Sequence, residues 1–101
     1  MSELSQNTLN LVYSLYETSE AQKVCERLDN ECGTEALLCE GWTPRQMDRI
    51  RYAVLRLATE KDMCLDSAIN LAKSDWRDLL LAAGFGNDLD AHEKWARLDA
   101  Y

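Results

Sequence analysis

At 101 residues, 47% of them hydrophobic, the chain has the size of one domain and the apolar content for a single core without disulfide staples. Its formal charge of −7 would be repelled by phosphate backbones and anionic lipid, so neither nucleic acid nor a membrane surface is expected as a ligand, and a basic protein is the partner class left open. No apolar run approaches the roughly 20 residues of a membrane span, and MSELSQNTLN lacks the basic and apolar regions of a secretory leader, which predicts a cytoplasmic protein with reduced cysteines.

A first helix is predicted over Glu3–Tyr16. Leu4, Leu11 and Leu15 share a face that Leu9, Val12 and Tyr16 widen, and no charge falls between Leu4 and Tyr16. Such a helix either sits inside the fold or waits for a partner. Ser19 with Gln22 fits a capping box for a second helix ending near Cys32, with Ala21, Val24, Cys25, Leu28 and Cys32 on one stripe and Gly33 as its stop. Thr34–Trp42 has no period and reads as the longest connection, with Trp42 placed to plug the core.

Thr43-Pro44-Arg45-Gln46 is the clearest start in the chain, with Thr as N-cap, Pro at N1 and Gln at N3. Met47, Ile50, Val54 and Leu57 then repeat at helical spacing to about Thr59. Asp62 is expected to cap a fourth helix carrying Leu65, Ala68, Ile69 and Ala72 inward. Ser74 is expected to cap a fifth, Asp75–Ala83, whose apolar run from Leu79 to Ala83 marks it as the central, most buried helix, stopped by Gly84. Asn87 or Asp88 opens a sixth, Leu89 to about Leu98, and Trp76 and Trp95 are read as clamping this tail together. With no repeat, strand alternation or linker, residues 1–101 form one all-α domain: a compact bundle of five to six short helices.

No constellation carries chemistry by itself. Cys25, Cys32 and Cys39 are each seven residues apart. On one helix Cys25 and Cys32 would lie about 10 Å apart, too far for a disulfide, and the spacing is unlike a zinc knuckle. Buried packing explains them better; a site from Cys39, Cys64 and His92 is the metal alternative. His92, the sole histidine, falls with Leu89, Trp95 and Ala96 on the apolar side of its helix, with no positioned nucleophile for acid–base work. Asn87, Asp88 and Asp90 lack the pattern of a calcium loop. Gly84-Phe85-Gly86 follows a helix instead of a strand and precedes no Lys-Ser/Thr, unlike a phosphate loop. No catalytic residue, metal or cofactor is expected, and the chain is not read as an enzyme.

The third helix carries the functional lead. Thr43–Lys61 holds five basic and two acidic residues, +3 in a chain of −7. Arg45, Arg49, Tyr52 and Arg56 share the side away from Met47, Ile50, Val54 and Leu57, and arginine and tyrosine are enriched at interface hot spots. This face is either a protein-binding surface or is paired internally with acidic neighbours.

The helix TPRQMDRIRYAVLRLA and the tail DWRDLL-AAGF-ND--AH--W together resemble a group of small, uncharacterised bacterial proteins, over roughly the last sixty residues. The resemblance implies a soluble bacterial protein and carries over no site residue. The leading expectation is a small acidic protein-binding module without catalysis, one concrete form being an immunity or antitoxin-like role against a basic partner. The alternatives are a structural adaptor or homodimer that uses the first helix as its seam, and a metal-dependent or redox protein built on His92 and the cysteines.

Overall fold

Three helix starts in this protein use short side chains that take up amides a first turn leaves without partners. The computed structural model describes residues 4–39, 41–86 and 90–100, the last four by backbone alone, and these form five helices with no strand among the described residues. Ser5 Oγ accepts from the Thr8 amide (3.1 Å) and opens α1, Gln6–Leu15. α2, Thr18–Glu31, begins at Glu17 without a side-chain cap. The expected Ser19–Gln22 capping box does not form, because Ser19 is already inside the first turn. α3, Pro44–Glu60, carries the full box: Thr43 Oγ1 accepts from the Gln46 amide (3.2 Å), and Gln46 Oε1 accepts from the Thr43 amide (2.8 Å).

α4, Leu65–Ala83, joins the two helices expected on either side of residue 75. Its N-cap is Cys64, whose sulfur accepts from the Ser67 amide, and not Asp62, which takes a left-handed φ of 56° just upstream. The expected break is present one residue later than Ser74. Asp75 leaves helical dihedrals (φ −159°, ψ 91°), and its Oδ1 accepts from the amides of Arg77 and Asp78, starting the second segment. That segment ends in a Schellman-type closure: Gly84 turns at φ 81°, and the Phe85 amide donates to Leu80 O at 2.8 Å. α5 spans Ala91–Ala100. Glu3, the expected start of α1, and Asn87, Asp88 and Leu89, the expected opening of the last helix, lie outside the described residues.

The central helix is α3, not 75–83. Among the described helices, α3 touches α1, α4 and α5, and α4 is its most extensive neighbour. It buries Met47, Ile50, Ala53, Val54, Leu55 and Leu57, and also Asp48, Arg51 and Tyr52. The run at 79–83 is apolar on every side, yet only Leu79, Leu80 and Ala83 are buried; Leu81 is 62% exposed. Apolar composition all round therefore did not mark the centre. α3 takes that place with its apolar face buried and with Asp48 and Arg51 bonded inward, to Ser5 and Thr8 and to the Cys32 carbonyl.

α1 settles inward. Leu11 and Val12 are buried with Leu4, Leu15 is half-buried against the core, and the apolar stripe is not an open seam. The two tryptophans of the tail lie in separate clusters. Trp76 meets Trp42 edge-on at 4.8 Å, and Trp95 packs with Phe85 and Tyr52. Arg27 bonds Glu31 and reaches Asp66 at 2.5 Å, while Lys73 reaches Glu31 at 2.6 Å, pinning α2 to α4. At the surface such pairs contribute about 0–1 kcal/mol each. The Cα radius of gyration, 12.0 Å, is close to the ~13 Å of one packed 100-residue unit. No helix of the described residues is long and apolar enough to cross a membrane.

Candidate functional site

The spacing 45, 49, 52, 56 aligns four side chains along one edge of α3, and the structure brings all four to the same place. What lies over them is α5 and the turn at 84–86. Arg45, on the exposed end of the stripe, pairs with Asp90 and with Glu93 (2.7 Å). Arg49 Nη2 donates to Phe85 O at 2.6 Å. Tyr52 is buried, its ring edge-on to His92 at 5.3 Å and to Trp95 at 6.4 Å. The Arg56 guanidinium stands over the rings of Phe85 (5.3 Å) and Trp95 (5.9 Å), a cation–π arrangement, and Trp95 Nε1 donates to Glu60. Of the two readings of the arginine–tyrosine face, the geometry is that of internal pairing: the stripe seats α5 and the 84–86 turn, with Arg45 still exposed. The sequence shows the stripe but not its cover, because the acidic partners Asp90 and Glu93 lie 45 and 48 residues downstream.

His92 is the deepest polar group of this seam, 1% exposed. Among the described residues neither ring nitrogen has a hydrogen-bond partner, and Nε of Arg49 and of Arg56 is in the same condition. Each buried, unsatisfied donor of this kind costs about 1–3 kcal/mol. Burial holds the imidazole below its ordinary range near 6.5; Glu93 and Asp48 oppose that shift, and Arg45 and Arg49 add to it.

Two buried polar residues went unseen in the sequence. Asp48 accepts from Ser5 Oγ (2.8 Å) and from Thr8 Oγ1 (2.7 Å), joining the start of α1 to α3. Arg51, 1% exposed, donates from Nε to Cys32 O at 3.2 Å, placing a cation at the carbonyl end of α2, which has no basic residue in its own last turn. The available signal was the spacing Asp48–Arg51–Leu55, which puts both charges on a face with a leucine.

The cysteines are all free. Cys32 and Cys39 are buried, and burial pushes the Cys32 thiol up to about 11. Cys64 is exposed, and hydrogen bonding with the Ser67 hydroxyl and from the Ser67 amide holds its thiol below the ordinary range. Brief treatment with iodoacetamide at pH 7.5 should therefore alkylate Cys64 first and leave Cys32 and Cys39 unmodified until the protein unfolds; peptide mass mapping reads the order. No group of three His, Cys, Asp or Glu side chains is arranged for a metal among the described residues. Gly84 is the left-handed stop of α4 and Phe85-Gly86 follow it.

One surface feature has no role in packing. Leu38, in the connection between α2 and α3, is 88% exposed and held at a left-handed φ of 57°. Beside it, an open cleft of about 390 Å³ is lined by Asp29, Asn30, Gly33, Glu35 and Ala36. Glu35 touches both features, since the Leu38 amide donates to Glu35 O at 3.2 Å. Compared with known proteins, the chain matches no family model, no curated protein and no solved structure.

Proposed function

We propose that the protein is a small acidic protein-binding module that acts by occupying a basic partner's surface, without catalysis, and that the connection carrying Leu38 is part of its contact. The observation that carries this reading is Leu38 itself. A left-handed φ costs a leucine about 1–2 kcal/mol, and the side chain recovers nothing by burial. Asparagine would hold the same turn with less strain. A fold shaped for stability alone would not put a leucine there.

Charge gives the partner its sign. Arg45, Arg49 and Arg56 are engaged by the chain's own tail, and Arg27 and Lys73 by Glu31. Lys23, Lys61, Arg77 and Lys94 are exposed alongside Glu17, Glu20, Glu26 and Glu35, and the formal charge of −7 makes the outward field acidic. Such a surface suits a cationic partner and accelerates encounter at low salt. An immunity or antitoxin-like role against a basic toxin is the concrete form this takes.

Leu38→Asn separates contact from fold. The variant should be as stable as the wild type or more stable by up to about 1 kcal/mol in urea unfolding. In affinity capture from host lysate, a basic protein retained by the wild type and eluted by moderate salt should be lost on Leu38→Asn. Equal retention by both proteins, or retention indifferent to salt, would overturn the reading.

A further inference from the structure

α5 packs on α3 and on α1. Among its holds on α3 are exposed ion pairs from Arg45, the Trp95 bond to Glu60, the Arg56 guanidinium over Trp95, and the aromatic cluster of Tyr52, His92 and Trp95 with Phe85, whose carbonyl Arg49 bonds. Within that hold lie four buried nitrogens without partners among the described residues: Arg49 Nε, Arg56 Nε and both nitrogens of His92. Native interiors rarely leave such groups unsatisfied. A helix of ten residues is also too short to persist in water once detached.

We infer that α5 is an acid-released strap: proton uptake by His92 favours the undocked state and uncovers Arg49, Tyr52 and Arg56. Neutral imidazole carries one N–H into the seam; imidazolium would carry two, with a charge, and neither would find an acceptor there. In water both are satisfied. The charged groups around His92 do not decide the matter. α3 presents Asp48, Arg45 and Arg49, and α5 presents Glu93, two carboxylates against two guanidiniums. Asp48 is already engaged by Ser5 and Thr8. The turn contributes the Phe85 ring, and Gln6–Leu15 of α1 contains no charged residue. With the charges opposed, desolvation decides, and it acts against the proton.

The sign follows from a folded-state affinity for the proton that is lower than in the undocked state. Docking is at full strength above the ordinary histidine value near 6.5 and weakens as pH falls below it. The opening equilibrium of α5 should rise by up to about tenfold per pH unit in that interval. His92 is the only histidine, so its ring signals in an NMR titration from pH 7.5 to 5.0 are unambiguous. Amide hydrogen exchange, corrected for intrinsic rates, reads α5 in parallel. The expected result is imidazole titration below 6.5 together with loss of protection in α5, while α3 and the 65–74 segment stay protected. His92→Phe should keep α5 protected throughout. Titration at or above 6.5 in a protected α5 would overturn the inference, as would equal acid sensitivity in His92→Phe. Should that variant fail to fold, the wild-type titration decides alone.

Discussion

Phe85→Ala should destabilise the protein by about 3–5 kcal/mol, a large part of the roughly 5–15 kcal/mol that holds a domain of this size together. The ring is fully buried where three parts of the chain meet. It lies 5.9 Å from Trp95 and 6.3 Å from His92 on α5, and 5.3 Å from the Arg56 guanidinium on α3, while its own backbone follows the Gly84 turn that ends α4. Truncation leaves a cavity that the surrounding helices cannot close, because the Gly84 turn and the Arg49 bond to Phe85 O fix the backbone in place. Urea unfolding followed by tryptophan fluorescence gives the total loss, and hydrogen exchange should locate most of it in α5. Leu81→Ala, four residues upstream and on the exposed side of the same segment, should change stability by no more than about 0.5 kcal/mol. A loss below about 1 kcal/mol for Phe85→Ala would mean that the turn and α5 contribute little to the core.

The same contrast between Phe85 and Leu81 explains which parts of the fold the sequence made legible. Local chemistry was readable: the Thr43–Gln46 box, the break at residues 74–75, the Gly84 stop and the inward stripe of α3 all depend on residues within a turn of one another. Placement was less so. Asp62, Ser19 and Ser74 are good caps by residue type, but Cys64, Glu17 and Asp75 take those positions, because small shifts in register are decided by how the helices meet. Periodicity marked Leu79–Ala83 as central for being apolar all round. It could not show that Asp48 would bond Ser5 and Thr8, or that Arg51 would reach the Cys32 carbonyl, contacts that go with the burial of α3. The stripe Arg45–Arg49–Tyr52–Arg56 was visible for the same local reason, and its cover was hidden for the same non-local one. Leu38 was missed altogether, since a single leucine in an aperiodic connection gives no sign of its dihedral angles or exposure.

Asp48 offers the sharpest test of that account of α3. Asp48→Ala should cost about 2–4 kcal/mol, because it removes a carboxylate that is 7% exposed and leaves the buried Thr8 hydroxyl without its acceptor. Asp48→Asn keeps one oxygen that can accept from both Ser5 and Thr8, so its cost should be about half as large. Both losses should appear in the protection of the start of α1, which Asp48 holds against α3. Asp48→Asn also reaches the seam beneath α5. It removes a negative charge that favours the imidazolium of His92, so the imidazole should titrate lower still, and the pH interval over which α5 loosens should extend further into acid. An unchanged His92 titration in Asp48→Asn would mean that the two polar clusters of α3 act independently. A downward shift, with the start of α1 loosened at every pH, would show one buried carboxylate serving both ends of the chain.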